Sequence, residues 1–272
     1  MVTNSPTKNR QNSIKKILIV AGSDPTAGAG LQADLKTVTA LGGYAMTAVT
    51  AVTVQDTRSV YEVKALAGDL VARQMTVCLA DIGADAIKLG MLATAEVVEA
   101  VAGVLALYPN IPVIADPVLA GTGGGLLLDG VGREKFMELL LPHIDLITPN
   151  APEAEVLTGF AVSSYREQEL AARKLAESGC GVLLTGGHLP GDNIFDLLLE
   201  RDGSLYQYKN SRLEGGQSGF HGTGCTLASA IAVKTAHGIP LNEAVESAIV
   251  YLRQTLTGSL TLGGGQRLPG IH

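Results

Sequence analysis

Phe220-His221-Gly222-Thr223-Gly224-Cys225-Thr226-Leu227-Ala228-Ser229-Ala230 sets two glycines and a thiol at the mouth of an apolar run. Leu227, Ile231 and Ala232 recur at helical spacing. A helix opened by such a turn presents unpaired backbone N–H groups to an anion, and Gly222 and Gly224 let the backbone approach a ligand closely. The chemistry this suits is stabilisation of a phosphoryl group in transfer by Gly222, Thr223, Gly224 and Cys225. The thiol could serve there as proton acceptor, because a helix start lowers a cysteine pKa from its free value of ~8.5. A small-residue turn entering a buried helix, with Cys225 as a packed apolar side chain, fits the same residues.

A second glycine cluster invites a different chemistry. Gly28-x-Gly30-x-x-Ala33, with Asp56 after the next strand, approximates the fingerprint that seats a dinucleotide pyrophosphate on a helix start. Its position argues against it: the fingerprint's first glycine follows the strand directly, whereas here the strand ends near Gly22 and a loop containing Pro25 intervenes. No GxxxxGK[ST] sequence is present, which removes a P-loop as a source of nucleotide binding.

The elements that must position these groups alternate between apolar runs of strand length and amphipathic stretches, the pattern of an α/β fold with a mostly parallel sheet covered on both faces. Strands are predicted at 16–21, 44–55, 86–89, 113–115, 146–148 and 182–185. Leu31, Leu35, Val38 and Leu41 mark one face of a first helix, with further helices at 96–107, 165–178, 224–237 and 241–257. Residues 194–200 and 204–209, joined across Arg201-Asp202-Gly203, read as an antiparallel hairpin at the sheet edge. Ligands of open α/β sheets bind beyond the carboxyl ends of the strands. Those ends are polar or glycine-rich here: Gly22-Ser23-Asp24, Gln55-Asp56, Gly90-Met91, Asp116-Pro117, Pro149-Asn150, Gly186-Gly187-His188 and the turn before Cys225.

With 272 residues the chain can bury a substantial core. Residues 1–15 read as a polar, disordered leader and 16–272 as a single domain. A formal charge of -6 argues against a nucleic-acid surface, which needs clustered Lys and Arg. No stretch reaches the ~18 consecutive apolar residues of a membrane span, so the expected partners are a small molecule or another subunit. Cys78, Cys180 and Cys225 form no CxxC pair and suit a reducing cytoplasm.

AGSDPTAGAGLQADLKT, TAVTVQDTR, KLGM, ADPVL, ITPNAPEA, GGH and HGTGCTLASA, in that order from Ile17 to His237, resemble the hydroxymethylpyrimidine/phosphomethylpyrimidine kinases of thiamine biosynthesis. The resemblance implies a ribokinase-like three-layer α/β/α domain that uses ATP and Mg²⁺ to phosphorylate a pyrimidine alcohol and then its monophosphate. It carries the pyrimidine pocket onto Ala29, Asp34, Gln55, Met91 and Val118, and nucleotide contacts onto Thr185, Gly187 and His188. Gln55 suits that role, since a carboxamide can match a ring acceptor beside an exocyclic donor. Asn150 and Glu153 match the family's NxxE motif, implied to organise Mg²⁺, with Asp116 a further candidate on the metal side. Their spacing is equally that of a capping box at a helix start. Sugar kinases of the wider family carry Asp where Cys225 stands.

Two departures bear on phosphate contact: Thr185 replaces a lysine common in relatives, and Gly121-Thr122-Gly123-Gly124-Gly125 replaces a serine-containing loop. The resemblance also implies a homodimer. Its nearest rival is a pyridoxal or pyridoxine kinase of the same fold, and beyond enzymes stands a non-catalytic pyrimidine-binding regulator.

Overall fold

A computed structural model describes residues 14–121, 125, 127–213 and 219–271. The expected leader therefore falls outside the described residues except for Ile14 and Lys15, and so do the centre of the 121–125 loop and its neighbour Leu126. Among the described residues nine strands form one sheet in the order β3-β2-β1-β4-β5-β6-β7-β8-β9. These are β1 (Lys16–Ser23), β2 (Tyr44–Gln55), β3 (Val60–Ala65), β4 (Ala86–Leu89), β5 (Val113–Ala115), β6 (Leu146–Ile147), β7 (Gly181–Leu184), β8 (Asn193–Leu199) and β9 (Leu205–Ser211). The strands from β2 to β7 run parallel, and β3 at one edge and β8 and β9 at the other are antiparallel.

The alternation of side chains along a strand builds the two outer layers. From β1, Leu18 and Val20 enter one core and Ile17, Ile19 and Ala21 the other. Helices α2 (Gly68–Asp81), α3 (Ala95–Leu105), α5 (Ala151–Thr158) and α6 (Tyr165–Ala176) contribute Met75, Val101, Ala154 and Leu175 to the first core. Helices α1 (Gly30–Ala40), α7 (Thr223–Ala236) and α8 (Leu241–Thr257) contribute Leu31, Ile231 and Val245 to the second. The short α4 (Gly130–Lys135) runs on through a π turn into a 3₁₀ turn before β6. This is the three-layer α/β/α arrangement expected from the pattern, with the edge hairpin where its turn residues placed it.

Two features depart from the sequence reading. The buried face of α1 is Leu31, Asp34, Thr37 and Val38, while Leu35 stands 44% exposed. An aspartate thus occupies an inward position that an apolar count assigns to a leucine, because Asp34 finds a buried partner described below. Strand β3 and helix α2 had no counterpart in the reading of periodicity. Only Val71, Met75 and Leu79 bury large apolar side chains on α2, and β3 lies at an edge with most of its residues partly or fully exposed.

Candidate active site

The carboxyl ends of the parallel strands open on a cavity of about 380 Å³. One wall is the loop after β1, shaped by a single carboxylate. Asp24 is buried and accepts hydrogen bonds from the Thr26 amide at 2.8 Å, the Ala29 amide at 2.8 Å and the Thr26 hydroxyl. His221 Nε2 lies 2.9 Å from Asp24 Oδ2, the oxygen that also accepts from the Ala29 amide. Burial pushes the Asp24 carboxyl up, but the bonds from His221, Thr26 and Ala29 outweigh it and hold the group below its ordinary value. This arrangement also disposes of the dinucleotide reading: the Ala29 amide just before α1 is taken by Asp24, where a bound pyrophosphate would have to sit.

Asp24 and His221 clamp that loop to the turn before α7. Gly222 is in the left-handed region at φ 74°, and a Cβ there would lie 1.9 Å from the Gly28 carbonyl oxygen, so only glycine allows this contact. The N-cap of α7 is Gly222, which has no side chain to cap the helix. Its first turn, Thr223, Gly224 and Cys225, lines the cavity as the turn geometry predicts. Asp116, from the end of β5, lies against this turn, its Oδ2 only 3.0 Å from where a Gly224 Cβ would be.

The thiol is not in the state expected at a helix start. Cys225 is buried, and burial pushes its pKa up against the pull of the Lys88 ammonium and a hydrogen bond from the Gly30 amide. The carboxylates of Asp34 and Asp116 push in the same direction as burial. The group is therefore a thiol at neutral pH, hydrogen-bonded to Asp116. A helix start favours a thiolate where solvent reaches the sulfur; here desolvation dominates.

Asn150 and Glu153 form the capping box at the start of α5: the Asn150 amide donates to Glu153 Oε2 and the Glu153 amide to Asn150 Oδ1, each at 2.9 Å. Both residues line the cavity together with Asp116. Burial, and then the like charge of Asp116, push the Glu153 carboxyl up. Burial likewise raises Asp116, against the Lys88 charge. Two carboxyls held above their ordinary range at one cavity wall make a site where a cation would be welcome. No cluster of three His, Cys, Asp or Glu side chains among the described residues could hold a metal by itself. The pair fits Mg²⁺ in the manner that ion favours, through one or two carboxylates, with water and phosphate oxygens completing the shell.

Of the pyrimidine-pocket residues, Ala29, Gln55, Met91 and Val118 line the cavity. Gln55 ends β2, and Met91 also packs with Ala51 and Leu127. Asp34 requires a correction: it does not line the cavity. It has no solvent exposure, both its oxygens lie 2.8 Å from Lys88 Nζ, and Ser229 Oγ donates to Oδ1 at 2.8 Å. The pair lies under the floor, since a Cβ on the cavity-lining Gly90 would come within 3.1 Å of Lys88 Nζ. Burial opposes the Lys88 charge, but the negative charge of Asp34 beside it, with that of Asp116, more than offsets it and keeps the ammonium charged.

The nucleotide-side residues divide. His188 lines the cavity, its imidazole pKa lowered by burial and by Arg212. Thr185 and Gly187 do not line it: the Thr185 amide is held by the Pro149 carbonyl at 2.9 Å, and the Gly187 carbonyl accepts from Arg212 Nη1 at 2.8 Å. Asp24 and His221 stand in segments that the sequence points to but carry no role of their own there, and Lys88 and Gln266 are not singled out from the sequence; Asp24, His221 and Gln266 line the cavity. A signal existed for Lys88, because a lysine within the otherwise apolar Ala86-Ile87-Lys88-Leu89 strand requires a buried counter-charge.

The family described as phosphomethylpyrimidine kinase matches residues 24–269, from the clamp carboxylate to the residues after α8. The chain belongs to that family. It is 40% identical over 260 residues to the hydroxymethylpyrimidine/phosphomethylpyrimidine kinase of Bacillus subtilis, covering 93% of each protein. It is 39% identical over 254 residues to a thiamine biosynthesis multifunctional protein of Corynebacterium efficiens, which it matches over 92% of its own length but only 34% of that longer protein. Among solved structures it resembles the pyridoxal kinase of Staphylococcus aureus in complex with AMP-PCP and pyridoxal, with a TM-score of 0.84, 32% identity and coverage of 95% and 94% of the two chains. Phosphomethylpyrimidine kinases and a pyridoxal kinase thus share this fold and this degree of sequence likeness, and the side chains of the cavity must separate their substrates.

Proposed function

We propose that this family member phosphorylates 4-amino-5-hydroxymethyl-2-methylpyrimidine on its hydroxymethyl oxygen, then adds a second phosphoryl group to the monophosphate, with ATP as donor and Mg²⁺ as cofactor, in thiamine biosynthesis. The observation that carries this reading is a single cavity with a carboxamide and apolar wall at one part and an uncapped helix start at another. Gln55 can meet an aminopyrimidine edge in a paired hydrogen bond, while Ala29, Met91 and Val118 supply the apolar surface a flat ring needs.

In each step the acceptor oxygen forms a bond to the γ-phosphorus as the bond to ADP breaks; the hydroxyl of the first step gives up its proton, whereas the phosphate oxygen that attacks in the second is already ionised near neutral pH. The first-turn amides of α7 would stabilise charge on the transferring group. Mg²⁺, held by Asp116 and by Glu153 with Asn150 orienting it, would neutralise phosphate charge. His188 would border the nucleotide. With its thiol protonated, Cys225 acts here as a positioner of the acceptor oxygen, which a loose transition state tolerates because little deprotonation is needed before transfer.

A homodimer and a cytoplasmic location belong to the same reading. Val52 and Val54 project from one face of β2, next to the edge strand β3, and remain 50% and 54% exposed, an apolar strip of the kind a second copy covers. The three cysteines are free, as a reducing compartment would keep them, and no helix among the described residues is long and apolar enough to cross a membrane. Sedimentation should give twice the chain mass of 28.1 kDa; a single-chain mass at micromolar concentration would remove the dimer.

Product analysis with Mg-ATP and the pyrimidine alcohol, at Mg²⁺ high enough to keep the raised Glu153 carboxyl ionised, should show monophosphate followed by diphosphate, at a rate that stays level from pH 7 to 8.5 instead of rising with thiolate formation. Turnover of pyridoxal with none of the pyrimidine would transfer the assignment to a pyridoxal kinase, and ligand binding without ADP release would make the protein a regulator. Gln55→Ala should weaken pyrimidine binding by ~1 to 3 kcal/mol with ATP affinity little changed. An unaltered pyrimidine titration would place Gln55 outside the contact.

Glu153→Gln separates the metal role from the cap. The amide can still accept the Asn150 N–H bond, so the fold should persist while the Mg²⁺ concentration for half-maximal rate rises several-fold. An unchanged Mg²⁺ requirement together with a lower melting temperature would leave Glu153 as a helix cap alone.

A further inference from the structure

After α8 the chain turns back as a strap. The Leu260 and Leu268 amides exchange hydrogen bonds with each other's carbonyls at 2.8 and 2.9 Å, and the Gly270 amide returns to the Thr255 carbonyl at 2.9 Å. Between these anchors the strap touches three walls of the cavity. On the β2 side, the Gln266 amide donates to the Thr57 carbonyl at 2.8 Å and the Gly265 amide to Thr57 Oγ1 at 3.0 Å. On the α7 side, the Arg267 amide donates to the Gly219 carbonyl, the His221 amide donates to the Arg267 carbonyl at 2.9 Å, and the Arg267 guanidinium lies 5.7 Å from the centre of the Phe220 ring. On the β1 side, Leu268 packs so closely on Gly28 that a Cβ there would lie 2.5 Å from its Cδ2.

The three glycines before Gln266 make this approach possible. A Cβ on Gly265 would fall 2.1 Å from the Thr57 carbonyl oxygen, and one on Gly264 would fall 2.0 Å from Arg58 Nη2. The result is that Gln266 lines the same cavity as Gln55, held by backbone bonds to a residue only two positions beyond Gln55. The strap's backbone bonds thereby bring a second carboxamide residue, able to donate and accept, to the wall of the cavity that Gln55 also lines.

We propose that Gln266 is a specificity-determining residue for the phosphoryl acceptor, presented by the strap as a further wall of the acceptor pocket. The acceptor class is a flat heteroaromatic alcohol with hydrogen-bonding groups on its ring edge. This rests on the kinase reading above. Gln266 makes a direct polar contact with the ring edge, complementary to that of Gln55, and the strap's bonds to Thr57 and His221 keep the pocket wall and the phosphoryl-side turn in fixed relation.

The test compares wild type, Gln266→Ala and Gln266→Asn, measuring KM separately for the pyrimidine alcohol and for ATP, with hydrogen exchange of the 265–267 amides read with and without the alcohol. Loss of one net hydrogen bond predicts a rise of roughly three- to tenfold in the alcohol KM for Gln266→Ala, with ATP KM and melting temperature unchanged. Gln266→Asn, which keeps the carboxamide on a shorter stem, should recover part of that loss, and bound alcohol should slow exchange of the strap amides in wild type. Equal effects on both KM values, or no effect on either, would overturn the role of Gln266 while wild-type turnover still upheld the kinase. Wild type that phosphorylates no heteroaromatic alcohol would overturn both.

Discussion

Lys88 stands in the middle of a nine-stranded sheet with no solvent exposure, and its charge is met by both oxygens of Asp34 at 2.8 Å. A buried charge without a partner costs several kcal/mol, so neither residue is tolerable here alone. The pair links elements that must each be in register for the cavity to exist. Lys88 comes from β4, whose end supplies Gly90 and Met91; Asp34 comes from α1, which follows Ala29; and Ser229, bonded to Asp34, lies one turn after Cys225 on α7. Lys88 also places positive charge beneath Cys225 and Asp116.

Above that floor the site is closed by short polar ties instead of apolar packing. Asp24 takes its bonds from its own loop and from His221, which fixes the glycine turn before α7 without capping that helix with a side chain. The capping box of Asn150 and Glu153 performs two tasks at once, since holding the carboxylate for the helix also aims it at the cavity. Leaving α7 uncapped while capping α5 through a residue of the site concentrates positive potential and hard oxygen ligands in one cavity, the combination that phosphoryl transfer requires.

What the sequence disclosed follows from how local each signal is. The layers were readable because buried parallel strands are continuous apolar runs, and the turn at Gly222–Cys225 because its residues are adjacent. The capping box was readable from a spacing of three. The resemblance alone places Asp34 in the pocket, and no local pattern shows otherwise, because its partner lies 54 positions away. The thiol's state was equally hidden: whether a helix start or burial governs it depends on what packs over the sulfur, which no local pattern records. The strap went unread because Gly263-Gly264-Gly265 carries no side chains that a local pattern could register, and its purpose appears only where Thr57 and Arg58 crowd against it.

The dependence of the site on its buried floor is tested most directly by urea unfolding of Lys88→Met beside the double variant Lys88→Met/Asp34→Leu, each also assayed for ATP-dependent turnover. The single change leaves the Asp34 carboxylate buried without its counter-charge and should cost about 3 to 5 kcal/mol, while the double variant should regain most of that stability because no charge remains buried. Turnover should stay low in both, since the positive charge beneath Cys225 and Asp116 is absent from each. A single variant that loses less than about 1 kcal/mol, or a double variant with wild-type turnover, would contradict the account.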